Sequence, residues 1–201
     1  MGGPILLPRI AASLVRGHLT RNRWRPNHCF GDDPHVYTAR AGLLDIDLLG
    51  HMNNAAYLTH CELARWELFT QSGLIHWSMK RRAGFVLAHA SMRYRREIRA
   101  FVPFELRTRV VAADDKSIFM TQGFHPLGGG PLLAQGLARA VLVGKTTIHP
   151  REFLAAAGAD EARIDLVSSA EASADPTVQA AQTMERAMRA AAAASDPPRE
   201  S

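Results

Sequence analysis

The stretch that decides the fold runs from residue 45 to residue 65 and reads DIDLLGHMNNAAYLTHCELAR. Asn53 and Asn54 are residue types that cap the start of a helix well. Apolar residues follow them at helical spacing: Tyr57, Leu58, Cys61, Leu63, Ala64, Leu68 and Phe69. Gly73 suits the position just after a last turn. The pattern therefore predicts a helix of about five turns with one apolar face.

The loop before this helix carries a carboxylate, Asp47, in a short glycine-containing turn. Amide groups at a helix N-terminus have no partner within the helix and carry the positive end of its dipole, so they can bind an oxyanion or a polarised carbonyl. A carboxylate facing such a carbonyl is what hydrolysis of a thioester or an activated ester requires, by direct attack or by activating water. The alternative is structural, with Asp47 capping its own loop.

The residues around this helix favour strands. Residues 36–45 read as one strand, and alternating apolar residues downstream predict four more near residues 85–98, 101–113, 117–125 and 132–143. One long helix against an antiparallel sheet of about five strands is an α+β fold. The helix can cover only one face of the sheet, so a second copy of the chain is expected to cover an edge or the other face.

The chain divides into three predicted regions. Residues 1–31 contain five arginines and no acidic residue, with apolar residues near helical spacing. Such a segment either lies on an anionic membrane or directs the protein to mitochondria, or else it packs on the domain as a helix. Residues 32–157 form the domain, and the Ala-rich residues 158–201 are interpreted as a partly helical, partly disordered appendage that the chemistry does not need.

Composition excludes several protein classes. The 201 residues are 47% hydrophobic and 21% charged, with 24 Lys and Arg against 19 Asp and Glu and a formal charge of +5. This is a globular composition, not that of a disordered chain, and no apolar run is long enough to span a membrane. Two cysteines and nine histidines show neither a disulfide framework nor the spacing of a metal site.

At the motif level the chain resembles a known family. The run from Asp45 to Leu58, followed by Glu62 to Arg65, resembles hotdog-fold thioesterases of the 4-hydroxybenzoyl-CoA thioesterase type. The segments DLLGHMNNAAYL, MRYRRE, PFELRTRV and DDKSIFM are most similar to thioesterase superfamily member six and its relatives. The resemblance covers about residues 36–145. It implies a long central helix wrapped by the sheet, and a dimer with active sites at the subunit interface.

The resemblance also implies roles for individual residues. Asp47 matches the catalytic carboxylate, and Asn54 matches the helix-start position whose backbone amide polarises the thioester carbonyl. His51 matches the loop histidine of plant acyl-carrier-protein thioesterases, although Leu49 stands where those enzymes have Asn. Some hotdog enzymes use a helix carboxylate instead, so Glu62 is the fallback catalytic residue.

Gly50, Tyr57, Arg93, Arg95 and Arg96 are assigned to substrate binding. Basic residues are frequent between residues 80 and 109, and arginine forms paired hydrogen bonds with phosphates such as those of coenzyme A. A solvated strand face is the plainer interpretation of this run, and Tyr57 can equally be a packing residue. Nucleic acid is not favoured, because no aromatic residues are interleaved for base stacking.

Two further expectations concern neighbouring charges. Asp45 is interpreted as a solvent-facing residue at a strand end. Glu62 and Arg65 lie three residues apart on the predicted helix, so an ion pair between them is expected.

The sequence thus predicts an acyl-CoA or acyl-ACP thioesterase, without a cofactor beyond the coenzyme A of the substrate. It is expected to form a homodimer or a dimer of dimers and to touch a membrane through residues 1–25. A mitochondrial or ER-membrane location is favoured over secretion, and a cytoplasmic one stays open. The alternatives are a non-catalytic acyl-CoA or lipid-binding hotdog protein, and a basic peripheral protein bound to membrane or RNA.

Overall fold

The computed structural model describes residues 6–31, 33–145 and 148–195. Its centre is an antiparallel sheet with the strand order β1-β3-β4-β5-β2, so β1 and β2 are the two edges. The strands are His35–Arg40 (β1), Ala83–Tyr94 (β2), Pro103–Ala113 (β3), Ser117–Pro126 (β4) and Ala134–Gly144 (β5). The predicted α+β architecture with five antiparallel strands is confirmed.

The first strand is shorter than predicted. It ends at Arg40, and Leu43–Asp45 forms a 3₁₀ turn instead of extended chain. The reason is local hydrogen bonding, because the Asp45 carboxylate accepts a hydrogen bond from the Gly42 amide at 3.0 Å and closes the turn.

The central helix is the one that the apolar spacing predicts. It runs over Asn54–Gln71 (α2), and the Asn53 side chain caps it by accepting a hydrogen bond from the Ala56 amide at 2.9 Å. Gly73 adopts a φ of +83°, which glycine tolerates better than other residues, and a short helix, Leu74–Arg81 (α3), follows directly.

The inner face of the sheet packs on α2. Phe104 and Phe124 are fully buried there, and Phe124 meets the ring of Tyr57 edge-on at 5.0 Å between centroids. Arg65 is also buried and donates a hydrogen bond to the Gln122 side chain on β4 at 2.6 Å. The expected ion pair between Arg65 and Glu62 is therefore wrong, because Arg65 binds Gln122 of β4, whereas Glu62 accepts a hydrogen bond from Trp66 of the same helix.

The N-terminal segment is part of the same packed unit. Its helix, Leu6–Leu19 (α1), lies along α2 with Ser13 and Gly17 buried. Further on, the Trp24 indole donates a hydrogen bond to the Ala157 carbonyl at 2.8 Å. The structure therefore shows the packed helix that one of the predictions describes, and residues 6–31 pack on the domain instead of forming a separate segment.

The C-terminal region also needs correction. Its helices are Pro150–Ala156 (α4), Glu161–Val167 (α5), Ala170–Ser173 (α6) and Pro176–Ser195 (α7). They bury Ile164, Val167 and Val178, and Val178 packs with Phe119 on the outer face of the sheet. Residues 158–195 are therefore not an appendage, since they supply part of the core, and the rest of the predicted tail lies outside the described residues.

This packing changes the expectation about what covers the sheet. Phe119 alternates with the inward-facing Ile118 and Met120, so α7 covers part of the outer face with residues of the same chain. In the part of the chain that the structure describes, no strand pairs with the outer edge of β2. None of the helices in the described residues combines the length and apolar character needed to cross a bilayer.

The close contact of α1 with α2 yields a first prediction. A side chain at Gly17 would begin 2.6 Å from the Glu67 carbonyl oxygen, so Gly17→Leu has no room and should cost about 1–3 kcal/mol of stability. We expect a lower melting temperature and faster trypsin cleavage at Arg9 and Arg16. Ala11→Leu is the control on the exposed face of α1, and an equal effect of both substitutions would contradict the observed packing.

Candidate active site

The loop before α2 is closed by its own backbone. The Asp47 amide donates a hydrogen bond to the His51 carbonyl at 2.9 Å, and the Gly50 amide donates to the Asp47 carbonyl at 3.1 Å. Gly50 has a φ of +77°, the left-handed conformation that such a tight turn requires. The loop therefore holds Asp47 at a defined place beside the start of α2.

The Asp47 side chain is exposed and organises this loop. Its Oδ1 accepts hydrogen bonds from the Leu49 amide at 2.9 Å and the His51 amide at 3.4 Å. Within the described residues no donor reaches its Oδ2. The structure thus shows the predicted loop cap and leaves one carboxylate oxygen facing solvent.

The first turn of α2 offers hydrogen-bond donors. The Asn53 side chain accepts a hydrogen bond from the Ala56 amide. The amides of Asn54 and Ala55 have no partner within the helix, because no helical carbonyl lies one turn before them. Both residues are exposed. These amides at the helix start can therefore donate hydrogen bonds to a carbonyl oxygen or to an anion.

His51 is directed away from the Asp47 carboxylate. Its Nε2 lies 3.2 Å from Glu97 Oε2, and Glu97 in turn accepts a hydrogen bond from Arg99. The Asp47 carboxylate is contacted by the backbone amide of His51 and not by its imidazole. Asp47 and His51 are both predicted from the sequence to be catalytic, but their side chains do not contact each other in the structure.

Asp45 is the carboxylate that sequence reasoning misjudged. It is buried, with its Oδ1 2.8 Å from Arg9 Nη1 and its Oδ2 3.2 Å from His60 Nε2. The Tyr37 hydroxyl lies 3.4 Å from the other nitrogen of His60. The expectation of a solvent-facing residue is wrong, because partners 36 and 15 positions away bury the side chain and neutralise its charge.

The same contacts fix the ionisation of Asp45. Burial alone would raise the pKa of its carboxyl, but hydrogen bonds from His60, the Gly42 amide and Arg9 outweigh burial. The net effect holds the pKa of Asp45 well below its ordinary value. Asp45 is therefore ionised at neutral pH and already satisfied, which makes it a structural group.

Glu62 lies on α2 beside two cavities that run between this helix and β2. The larger one, about 550 Å³, extends toward α3 and has a largely apolar lining that includes Phe69, Ile75 and Phe85. The smaller one, about 180 Å³, continues toward Leu58. Glu62 lines both and receives only a long hydrogen bond of 3.4 Å from the Trp66 indole. The sequence shows the apolar residues but not the cavities, because the cavities form between elements that lie apart in the chain.

The predicted substrate-binding residues lie in three different places. Tyr57 is buried between Tyr94 and Phe124, so it is a packing residue and its assignment to substrate binding is not supported by its position. The arginines assigned with it are all exposed at or just after the end of β2, and the described residues place no carboxylate in ion-pair contact with them: Arg93, Arg95 and Arg96. Gly50 lies in the Asp47 loop described above.

Two other kinds of chemistry find no support in the described residues. Cys61 lines the smaller cavity, but burial raises the pKa of its thiol to about 12, so it is no nucleophile at neutral pH. Among residues 6–31, 33–145 and 148–195, no group of three or more His, Cys, Asp or Glu is placed to hold a metal ion.

Comparison with known proteins places this arrangement among thioesterase-like folds. The sequence profile of the thioesterase-like superfamily matches residues 41–183. Protein THEM6 of Xenopus laevis is 35% identical over 112 residues, covering 56% of this chain and 54% of that protein. The chain thus spans about half the length of this curated relative.

Solved structures share the fold at low sequence identity. The probable thioesterase YbaW from Escherichia coli superposes with a TM-score of 0.56 at 20% identity, over 67% of this chain and 99% of that one. Slr0204, a 1,4-dihydroxy-2-naphthoyl-CoA thioesterase from Synechocystis, gives a TM-score of 0.54 at 15% identity, over 62% and 94% of the two chains. These likenesses confirm the predicted hotdog fold.

The buried carboxylate yields a second prediction. Asp45→Asn removes the charge that Arg9 and His60 bind, and should cost about 2 kcal/mol at pH 7. Because folding lowers the pKa of Asp45, its contribution to stability is complete above about pH 4 and is lost as the pH falls through the folded-state pKa. Thermal unfolding should therefore show the two proteins converging in acid.

The control for this comparison is Asp47→Asn. Its side-chain oxygen still accepts the two loop amides, and the position is exposed, so the melting temperature should change little at any pH. Equal melting temperatures of Asp45→Asn and the wild type at pH 7 would show that the buried network does not stabilise the fold.

Proposed function

The chain belongs to the thioesterase-like superfamily, and from this premise we propose that it hydrolyses acyl thioesters of coenzyme A. The observation that carries the proposal is the exposed start of α2 beside the ordered Asp47 loop. There the free amides of Asn54 and Ala55 and an accessible carboxylate oxygen face solvent within one short stretch of chain.

The proposed reaction uses these groups in complementary ways. The thioester oxygen accepts a hydrogen bond from the Asn54 amide, which polarises the carbonyl carbon and stabilises the negative charge that develops on the oxygen. Asp47 takes a proton from a water molecule that attacks this carbon, or attacks the carbon itself. The C–S bond then breaks, and the products are a carboxylic acid and the free thiol of coenzyme A.

The loop supports the role of Asp47 through its hydrogen bonds. The amides of Leu49 and His51 hold Oδ1 in place, so the side chain does not have to be ordered when substrate binds. Oδ2 stays available as the base or nucleophile.

The two cavities along α2 are proposed to receive the acyl group. Their lining is largely apolar, and the larger one has a volume typical of small-molecule sites. Glu62 lies between them and is the second carboxylate that could meet a thioester. Glu62 is therefore the competing candidate for the catalytic carboxylate, although it lies farther along α2 than the amides at the helix start.

The carrier of the acyl group is proposed to be coenzyme A on the basis of charge. The exposed guanidinium groups of Arg93, Arg95 and Arg96 have no carboxylate partner among the described residues, and arginine binds phosphate oxygens with paired hydrogen bonds. An acyl carrier protein is the alternative, and parallel assays with both carriers distinguish the two.

A homodimer is proposed from the uncovered edge of the sheet. On β2, Val86 is 55% exposed, and Leu87, Ala88 and Ala90 are also exposed. A long apolar edge strand with free backbone groups invites pairing with another strand. Two copies joined through β2 would form one continuous sheet, and a dimer of dimers would need a further contact.

A non-catalytic acyl-CoA-binding role is the second candidate. It is favoured by the fact that Asp47 has a structural role as a loop cap, independent of any substrate. Such a protein would bind the same ligand through the same cavities without releasing the thiol.

A third prediction separates these possibilities. Wild-type protein should release free thiol from acyl-CoA across a panel of chain lengths. Asp47→Asn keeps the loop hydrogen bonds but loses basicity, so kcat should fall roughly 10²–10⁴-fold while affinity for acyl-CoA stays nearly unchanged. Glu62→Gln should retain most of the activity.

Asp115→Asn, an exposed carboxylate in the β3–β4 turn, is the matched control and should behave as wild type. A loss of activity in Glu62→Gln with full activity in Asp47→Asn would transfer the catalytic role to Glu62. Binding of acyl-CoA by the wild type without thiol release would establish the non-catalytic role.

A fourth prediction tests the dimer. Light scattering of the wild type should give twice the mass of one chain. Lysines on an edge strand oppose strand pairing, so Val86→Lys with Ala88→Lys should give the mass of a single chain. Val36→Lys on the opposite edge strand, β1, is the control and should remain a dimer. A monomeric wild type at micromolar concentration would contradict the proposed interface.

A further inference from the structure

The helix α1 carries apolar residues on two faces, because Leu6 and Ile10 pack against the core while a second set is exposed. Its arginines point toward the protein, and most of its exposed side chains are apolar. Arg9 binds the buried Asp45, and Arg16 pairs with the buried Glu67 and donates a hydrogen bond to the Thr38 carbonyl at 2.7 Å. A buried carboxylate is costly without a cationic partner, so these contacts fix the rotation of α1 about its axis.

The outward face of α1 is an apolar stripe. Leu7, Val15 and Leu19 are 67%, 58% and 73% exposed, and Ala11 completes the spacing of four residues between them. Neither arginine of the helix lies on this stripe. This stripe of α1 is therefore apolar from the first turn of the helix to the last.

The chain directly after α1 is basic and exposed. Arg21, Arg23 and Arg25 all reach solvent, and His18 is exposed on the last turn of the helix. In the described residues only Arg25 has a carboxylate nearby, with Asp33 at 3.6 Å. The apolar stripe thus ends in a cluster of positive charge.

We propose that this stripe, Leu7, Ala11, Val15 and Leu19, together with the basic cluster Arg21, Arg23 and Arg25, docks α1 flat on an anionic lipid surface. Apolar side chains of an interfacial helix enter the boundary between headgroups and acyl chains, while basic residues bind the headgroup phosphates. The proposal does not depend on the proposed hydrolysis, because the residues involved lie outside the candidate active site.

The size of the stripe favours a lipid surface over a protein partner. A helix of 14 residues is about 21 Å long, so its exposed face measures about 200 Å². A stable protein interface buries about 800 Å² on each partner. Separate side chains entering a bilayer need no such continuous area, and each gains its own transfer free energy.

The pairing of Arg9 and Arg16 with buried carboxylates changes how membrane binding should respond to salt. An arginine-rich helix lying on a membrane through its charges would detach at high ionic strength. Here Arg9 and Arg16 form ion pairs with Asp45 and Glu67 of the same chain. The electrostatic attraction to the membrane therefore comes from the basic cluster. The apolar stripe should keep a salt-resistant part of the binding.

Flotation of the full chain with lipid vesicles tests the proposal. The wild type should float with vesicles of phosphatidylcholine and phosphatidylglycerol, and a measurable fraction should stay bound at about 0.5 M salt. The triple variant Leu7→Gln, Val15→Gln, Leu19→Gln keeps helix-forming residues and should bind at least about tenfold more weakly. Replacing the three arginines of the basic cluster by Gln should weaken binding roughly 10- to 100-fold at low salt and abolish most of its salt dependence.

The matched control exchanges the same number of exposed apolar residues on the C-terminal helices: Leu166→Gln, Met184→Gln and Met188→Gln. This control should bind as the wild type does, and thiol release and melting temperature should be unchanged in the stripe variant. Equal binding of the stripe variant and the wild type would overturn the proposal. A stripe variant that changes the mass of the protein in lipid-free solution would also overturn it, because the stripe would then be a protein interface.

Discussion

The buried carboxylate of Asp45 is the interaction on which the candidate site depends. Its side chain binds Arg9 of α1 and His60 of α2, and its carbonyl accepts hydrogen bonds from the Asn53 amide and side chain. One residue thus joins the N-terminal helix, the central helix and the loop between β1 and α2. That loop also carries Asp47, so the contacts of Asp45 attach the segment with the exposed carboxylate to both helices, while the loop's own hydrogen bonds hold Asp47 in place.

The two aspartates show how environment separates chemical roles within three residues of chain. Asp45 faces inward, where every oxygen is engaged by a cation or an amide. Asp47 faces outward and uses one oxygen for the loop. A carboxylate already bound to a guanidinium is a poor base, whereas one with a free oxygen can accept a proton. The division of roles thus follows from burial.

Packing of the terminal helices decides which surfaces of the domain remain free. α1 covers α2, and α7 covers part of the outer face of the sheet at Phe119. Among the described residues, the edge strand β2 and the outward stripe of α1 are two of the surfaces that stay free, and both carry exposed apolar side chains. Self-association and membrane contact are therefore proposed for different elements, and neither competes with the start of α2.

Local patterns in the sequence determined α2, its caps at Asn53 and Gly73, the alternating strands and the tight loop at Gly50, because each depends on residues close together in the chain. They also allowed Asp47 to be recognised as a loop cap. Tertiary structure alone decided that Asp45 is buried, that Arg65 binds Gln122 and that Val178 belongs to the core, since each outcome depends on a partner many residues away. It also decided the orientation of α1: the sequence shows arginines and apolar residues on one helix, but only the buried carboxylates of Asp45 and Glu67 determine that the arginines turn inward and the apolar stripe faces out.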